Sequence, residues 1–567
     1  VAKELSILIG GEAGQGIQSI GHVLARSFTR SGWRVFALQD FESRIRGGHA
    51  FTKLRVGVDD PQCHAPGIDI LIALNAETLS LHRGELNDGA RVIYDSGRVK
   101  ETLAGEAFLG LDLARLCRDN GGSAAMANTV ATGAAWAMLG LETPVVESVL
   151  ESTFSHRGQE TVDKNIAVLR AGYALGQPYR KNALRLDPPG GDTASLFLSG
   201  ADAVALGALA AGVRFYSAYP MTPATSVMEY LIHHGRDRGV VVEQAEDEIA
   251  AINMAIGASY MGARSMTGTS GGGFALMSEA LGLAGCSEIP LVVLNAQRPG
   301  PATGMPTRTE QGDLLFALFA SHGEFPRVVL APEGPESAFR LTAEAFNLAD
   351  RLQAPVIILT DHHLMDSFWS VDSLPVEELG VDRGRMAGPE ELAAGADYLR
   401  YRITPDGVSP RAFPGQGTAL VCSTGDEHDE SGHITEDPAL RSAMVDKRWR
   451  KLERLGEWSG LECDLQDGSD TVLVGWGSNG GALREVVRVC RAAGQKTSLV
   501  LPTRLWPFPE AQFRQAVEGR GRLVSVEGNS LGQLARLVRM ETGLAAQRQV
   551  LRYDGRAFCA RDILEKL

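Results

Sequence analysis

The chain has 567 residues, too many for one hydrophobic core, and its 44% hydrophobic and 22% charged residues are the balance of an ordinary globular protein. Lys and Arg number 55 against 69 Asp and Glu, a net charge of −14, which speaks against duplex nucleic acid as the main ligand because phosphate binding needs clustered cations. The seven cysteines (Cys63, Cys117, Cys286, Cys422, Cys463, Cys490 and Cys559) are dispersed without a CxxC pair, which suits reduced thiols and excludes a ferredoxin-type cluster run within this chain.

Residues 1–185 read as a first α/β domain. The apolar run Leu5–Ile9 ends in Gly10-Gly11 and precedes a helical pattern, and Val35–Leu38, Ile68–Leu74 and Val92–Tyr94 are further buried-strand candidates. Such runs alternating with helical patterns indicate a mostly parallel sheet. Gly11, Gly14 and Gly16, around Gln15, lie between the first strand and its helix. They form either a tight turn or a cradle of backbone N–H groups for an anion at the helix N-terminus. The spacing is neither G-x-G-x-x-G nor that of a lysine-bearing P-loop. Arg44 and Arg46, before Gly47-Gly48-His49, either add cations for a phosphate-bearing ligand or are solvated loop residues. The Pro/Gly-rich stretch Asp187–Asp192 is the clearest boundary.

Residues 195–380 read as a second α/β domain, with a helix over Ala203–Ala211 and strands at Arg214–Ala218, Pro290–Leu294 and Pro355–Thr360. In Tyr219-Pro220-Met221-Thr222-Pro223, two prolines fix the backbone after a strand. Thr222 then stands at a strand's carboxyl end, where open parallel sheets bind ligands, unless the segment is a plain turn. Glu248, Ala251, Ile252, Ala255 and Ile256 follow one helical stripe. Glu248 therefore points along the apolar face and needs a compensating partner, unless it sits at the solvent edge of an acidic helix start. Glu246 and Asp247 stay outside as first-turn acids. Thr267–Phe274, containing Ser270 and Gly271, reads as a strand end and Gly-rich turn that packs on a planar ring or on the sheet. Residues 297–313 leave another strand end without an apolar pattern, as functional loops do, and Arg298 there is a natural binder of a carboxylate.

His362-His363, beside Asp361, and His428 and His433 lack zinc spacing; no metal site is assigned, and solvated or interface loops are expected. Residues 381–468 read as an irregular linker or interface segment. Residues 469–567 form a third α/β domain, with a strand at Thr471–Val474, a Gly-rich turn, a helix from Ala482, and strands at Thr497–Leu501 and Leu523–Val526. No apolar run reaches membrane length and no signal-peptide pattern opens the sequence, so a cytoplasmic location without a membrane partner is expected.

Taken in order, these stretches resemble the 2-oxoacid:ferredoxin oxidoreductase family along almost the whole chain, as a fused gamma–alpha subunit. Gly-Glu-Ala-Gly-Gln-Gly-Ile and Arg-Ile-Arg-Gly-Gly-His resemble its gamma domain. Tyr-Pro-Met-Thr-Pro, Glu-Asp-Glu-Ile-Ala-Ala-Ile-Asn-Met-Ala and Thr-Ser-Gly-Gly-Gly-Phe resemble its domain for the pyrimidine side of thiamine diphosphate. Gly-Trp-Gly-Ser-Asn and Val-Glu-Gly-Asn-Ser-Leu-Gly-Gln-Leu resemble its transketolase C-terminal-like domain.

The resemblance implies that Glu248 is the glutamate at N1′ of the aminopyrimidine, and that Arg298 and Thr222 hold the substrate carboxylate. It places Tyr219, Pro220, Ser270 and Gly271 around the cofactor, and Gly11, Gly14, Gln15 and Gly16 toward the phosphates of coenzyme A. It also implies a separate iron–sulfur beta subunit carrying Mg²⁺ and a [4Fe–4S] cluster, ferredoxin as electron partner, and a dimer of heterodimers. The 297–313 loop, the His428–His433 segment and Tyr553-Asp554-Gly555-Arg556 resemble 2-oxoglutarate members, with Thr307 and Arg308 set for a second carboxylate. The implied reaction converts 2-oxoglutarate and coenzyme A reversibly to succinyl-CoA and CO₂, the electrons reducing ferredoxin; run backwards it fixes CO₂. Pyruvate or branched-chain 2-oxoacids within the family, and a CoA- or nucleotide-binding subunit without redox chemistry, remain as alternatives.

Overall fold

The computed structural model describes residues 3–43, 47–101, 103, 105–182, 184–189, 196–393, 398–455 and 458–567. Arg44, Arg46 and the end of the Asp187–Asp192 connector lie outside these residues. The fold is α/β with three sheets, and the chain divides into two compact units. No helix among the described residues is long and apolar enough to cross a membrane.

The first unit comprises Val1–Ser199, Asp366–Ser373 and Cys559–Asp562. Its eight-stranded sheet runs in the order Phe108–Leu111, Leu86–Asp95, Ile68–Ala73, Glu4–Ala13, Gly47–Gly57, Arg34–Asp40, Phe368–Val371, Leu196–Ser199. The first four strands are parallel, but Gly47–Gly57 pairs antiparallel to both its neighbours and Phe368–Val371 does the same. The expectation of a mostly parallel sheet therefore holds for half of it. Gly47–Gly57 escaped the reading because polar residues interrupt its pattern. Lys53 is buried yet ion-paired to Glu85 at 3.6 Å, and Arg55 is ion-paired to Glu4 at 2.9 Å.

The helices Ile17–Arg30, Ala127–Met138 and Gln159–Gly176 carry the apolar side chains that cover one face of this sheet, around Ile7, Ile9, Phe28, Ala131, Trp136 and Leu169. The last two helices meet backbone to backbone. A Cβ on Gly172 would lie 1.9 Å from the Val130 carbonyl oxygen, and one on Gly133 2.1 Å from that of Leu169. Glycine is required at both positions by this close approach.

The second unit comprises Gly200–Met365, Leu374–Phe558 and Ile563–Leu567. Its seven-stranded sheet has the order Arg504–Trp506, Val328–Leu330, Pro355–Asp361, Leu291–Gln297, Ser265–Thr269, Phe215–Ala218, Val241–Gln244, parallel except at the Arg504–Trp506 edge. The five-stranded sheet has the order Leu461–Asp464, Thr497–Pro502, Thr471–Val474, Arg522–Glu527, Arg548–Leu551. Near-continuous apolar runs in the central strands are what burial on both faces demands. One core joins Ile252, Phe274, Met277 and Leu281 to Val293 and Ile357 of the larger sheet and to Val472 and Val500 of the smaller.

The 381–468 segment contains the helix Pro438–Arg450 and charged side chains buried in ion pairs. Lys447 binds Glu288 at 2.6 Å, Lys451 binds the same carboxylate, and Asp350 receives Arg264 at 2.9 Å and Arg411 at 2.6 Å. His428 is fully buried, its ring centroid 4.0 Å from that of Tyr401, and His362 and His363 are buried as well, so of the solvated-or-interface expectation the solvated half holds for His433 alone, which is exposed. Neutral imidazoles bury readily when packed against rings and strand ends, a context that spacing does not reveal.

The close approach of the Ala127–Met138 and Gln159–Gly176 helices gives a direct prediction. Gly172→Ala forces them apart at a cost of about 1–3 kcal/mol, which speeds amide hydrogen exchange in both helices roughly five- to hundredfold. Unchanged exchange would show that the two backbones do not touch.

Candidate active site

The residues singled out in the second domain gather at the carboxyl ends of parallel strands. Asp247 caps the helix Glu248–Tyr260, its carboxylate accepting the Ala250 N–H at 2.7 Å. The cap sets where the helix begins and makes Glu248 its first residue, with Ala251, Ile252, Ala255 and Ile256 buried behind it on the same stripe. Glu248 is 4% exposed, and its Oε1 is buried without a hydrogen-bond partner among the described residues.

The second wall of this niche is the helix Gly271–Cys286. The expected Gly-rich turn is absent: strand Ser265–Thr269 passes through Ser270 alone into the helix, whose first turn holds the three glycines. At Gly271 and Gly273 small size serves packing and not a turn, whereas a Cβ on Gly272 would meet nothing within 4 Å. A Cβ on Gly273 would lie 2.0 Å from the Thr269 hydroxyl and 2.4 Å from Glu248 Oε1, and one on Gly271 would lie 2.4 Å from the Asp313 carboxylate. The Ser270 Oγ is buried and has no partner among the described residues.

Arg298 leaves the end of strand Leu291–Gln297 and donates to the Thr222 carbonyl at 2.9 Å. This contact joins the 298–313 loop to the Tyr219–Pro223 segment, where Tyr219 is exposed and Pro220 and Thr222 are half-buried. Burial lowers the Arg298 pKa, and the nearby Glu248 carboxylate opposes that shift. His362 lies in the same neighbourhood. Burial holds its pKa down to about 3, with His363, Arg308 and Arg298 adding to the effect, so it is a neutral imidazole beside two guanidinium groups. Thr307 is buried, and Arg308 packs on the turn at Gly555: a Cβ there would lie 3.1 Å from Arg308 Cβ and 3.2 Å from the Met305 sulfur. Thr309 N–H donates to the Gly555 carbonyl at 3.3 Å.

Sequence reasoning missed Gln311, which fastens the loop to the smaller sheet. Its Nε2 donates to the Trp476 carbonyl at 2.8 Å, and its Oε1 accepts from Asn479 at 2.7 Å and from Gly528 N–H at 2.9 Å. Its backbone carbonyl accepts from Asn529 at 3.1 Å. Glu527 and Asn529 in turn cap the start of the helix Gln533–Thr542. Both motifs of the third domain thus meet at one loop glutamine. The only sign of this in the sequence was their shared polar, Gly-rich character.

In the first unit, Gly14 and Gly16 adopt left-handed conformations, φ 89° and 72°, at the start of the helix Ile17–Arg30. Gly14, Gln15 and Gly16 line a cavity of about 710 Å³ that Asn128, Arg98 and Arg157 also line. Asn128 donates to the Gln15 carbonyl, and Gln15 Oε1 accepts the Glu12 N–H at 2.8 Å. Gly11 stands behind the loop, where a Cβ would lie 2.3 Å from Gln15 Oε1. The cations of this cavity that the structure describes are Arg98 and Arg157, which the sequence reading did not single out.

The chain is 33% identical over 626 residues to the 2-oxoacid:ferredoxin oxidoreductase subunit alpha of Sulfolobus sp, covering 99% of this chain and 96% of that protein. The chain belongs to the 2-oxoacid:ferredoxin oxidoreductase alpha-subunit family. It is 31% identical over 614 residues to the 2-oxoglutarate oxidoreductase subunit KorA of Mycobacterium tuberculosis, 99% of this chain and 90% of that one. Family profiles match residues 6–175 ("Pyruvate ferredoxin/flavodoxin oxidoreductase"), 206–447 ("Pyruvate flavodoxin/ferredoxin oxidoreductase, thiamine diP-bdg") and 469–563 ("Pyruvate:ferredoxin oxidoreductase core domain II"). Among solved structures, the 2-oxoglutarate:ferredoxin oxidoreductase of Magnetococcus marinus, with 2-oxoglutarate, coenzyme A and succinyl-CoA bound, superposes with a TM-score of 0.92 at 33% identity over 100% of this chain and 99% of that one.

For a family member, the Gln311 junction has a measurable consequence. Gln311→Ala strands buried partners on Asn479 and Gly528, at a cost of about 1–3 kcal/mol for each group left unpaired. Hydrogen exchange across residues 303–313 then rises while that of the Glu248–Tyr260 helix is unchanged. Equal exchange in variant and parent would show that Gln311 does not fasten the loop.

Proposed function

We propose that this chain is the alpha subunit of a 2-oxoglutarate:ferredoxin oxidoreductase, which works with an iron–sulfur beta subunit. The observation that carries the reading is the buried, partnerless Oε1 of Glu248 beside the half-buried Arg298. A buried carboxyl so placed requires a hydrogen-bond partner, and N1′ of the thiamine diphosphate aminopyrimidine is one, accepting a hydrogen bond from it. The niche around Glu248, kept clear by Gly273, is assigned to that ring, with Ser270, Gly271, Tyr219 and Pro220 as the residues proposed around it. Thiamine diphosphate, when bound, supplies the nucleophilic carbon and electron sink that 2-oxoacid decarboxylation needs.

The remaining tasks fall to this chain's own side chains. Arg298 binds the substrate carboxylate, and its bond to the Thr222 carbonyl fixes the guanidinium at the niche. Arg308, held against the Gly555 turn, and the buried Thr307 receive the second carboxylate of 2-oxoglutarate. His362 stays neutral beside both arginines, so it contributes no charge that competes for the substrate. In the first unit, Gly14, Gln15 and Gly16 with Arg98 and Arg157 bind the phosphates of coenzyme A. The balanced reaction takes 2-oxoglutarate, coenzyme A and two oxidised ferredoxins to succinyl-CoA, CO₂, a proton and two reduced ferredoxins.

Mg²⁺ and a [4Fe–4S] cluster belong to the beta subunit in this reading. The helices beside the niche support docking there. Glu248–Tyr260 exposes Ile249 and Met254 on the face opposite its buried stripe, Gly271–Cys286 exposes Leu276, and Leu314–Phe319 exposes Phe316 and Phe319.

The test is the complex of this chain with its beta subunit, assayed on several 2-oxoacids. Glu248→Ala is expected to assemble normally and lose about 10²–10⁴ in turnover; full activity would remove the thiamine role assigned here. Arg308→Leu is expected to raise KM for 2-oxoglutarate at least roughly tenfold, the value of one lost charged contact, and to leave pyruvate turnover unaffected. Equal or better turnover of pyruvate by the parent enzyme would overturn the choice of 2-oxoglutarate.

A further inference from the structure

Away from both regions, three potential metal ligands from distant parts of the sequence converge in the first unit. His64 lies between strands Gly47–Gly57 and Ile68–Ala73, while Cys559 and Asp562 lie at the start of the short helix Ala560–Leu564. One donor atom from each, an imidazole nitrogen, the thiol sulfur and a carboxylate oxygen, all fall within 4.8 Å of one another. Cys559 is 4% exposed, and the other two are half-buried.

The donor set is selective. Calcium and magnesium take oxygen ligands, whereas a mixed nitrogen, sulfur and oxygen set suits a borderline divalent ion of the zinc class, with Zn–S about 2.3 Å and Zn–N about 2.0–2.1 Å. Bonds of these lengths around a tetrahedral centre hold donors roughly 3.3–3.6 Å apart, so small side-chain adjustments close the observed group onto an ion. Part of the supporting shell is already built. Asp562 Oδ2 accepts the Cys559 N–H at 2.8 Å, which orients the carboxylate from within its own segment.

The Lys53 side chain is buried nearby, held by the Pro66 carbonyl at 3.2 Å and in electrostatic range of Cys559, where its charge favours a thiolate. None of these residues takes part in the chemistry assigned above.

We propose that His64, Cys559 and Asp562 form a binding site for a divalent cation of the zinc class, with the fourth position left to water. Bound there, the ion fastens the loop after Gly57 to the Cys559–Asp562 segment.

The experiment uses the full chain, freed of metal by chelation and titrated with Co²⁺. Equimolar binding is expected, with a sulfur-to-cobalt charge-transfer band that Zn²⁺ abolishes by competition. The thermal midpoint should rise, because the ion binds the folded state alone. Cys559→Ser should lose the band, and His64→Gln should weaken binding at least roughly tenfold, the effect of removing one ligand bond. Cys463→Ser, at an exposed thiol, should behave as the parent. Circular dichroism of each metal-free variant, matched to the metal-free parent, shows that the fold is retained. A parent chain without the band, or a band that survives Cys559→Ser, would overturn the proposal; so would loss of the band in Cys463→Ser.

Discussion

A carboxylate held out of water at the start of a helix constrains much of the second unit. Glu248 occupies the first position of its helix because Asp247 caps it, and its Oε1 has no partner among the described residues. An ionised group so placed costs several kcal/mol unless its surroundings offset the loss of hydration. Two helix N-termini, its own and that of Gly271–Cys286, supply partial positive charge, and Arg298 supplies a whole one. The glycine at 273 follows from the same constraint, since any Cβ there would strike the carboxylate or the Thr269 hydroxyl. The cost is local, and it leaves one hydrogen-bonding position of the carboxyl group unused among the described residues.

The surrounding framework is correspondingly rigid. Gln311 collects hydrogen bonds from both motifs of the smaller sheet, which holds the 298–313 loop without any secondary structure of its own. The 381–468 segment is fixed differently, by its own charges paired inside the unit: Lys447 and Lys451 on Glu288, and Arg411 on Asp350. Buried ion pairs add little net stability, because desolvation consumes most of the Coulombic gain. Removing one partner, however, leaves a bare buried charge, so such pairs penalise any alternative path for the segment.

Local pattern made the strands and the site stripe legible. Thr471–Val474 appears as read, and Leu5–Ile9, Pro355–Thr360 and Leu523–Val526 lie inside strands only a few residues longer. The Glu248 stripe was visible because helical periodicity is a short-range property, set by backbone geometry. The Gly47–Gly57 strand was not visible: its lysine and arginine are neutralised by Glu85 and Glu4, residues remote in sequence. The glycines at 271–273 were assigned to a turn because glycine signals small size and unusual φ alike, and only neighbours in space distinguish the two.

The sequence by itself determined the α/β class, the order of its motifs, the family resemblance and the stripe that buries Glu248, because each depends on residues a few positions apart. Only the tertiary structure decided which polar residues are buried and what they meet. Gln311 beside Asn479 and Gly528, His362 beside two arginines, and Arg98 and Arg157 facing the Gly14–Gly16 loop are products of chain crossings between distant segments. Hydrogen bonding and desolvation act through space, so the same side chain is a solvated loop residue or a buried junction according to what folds against it.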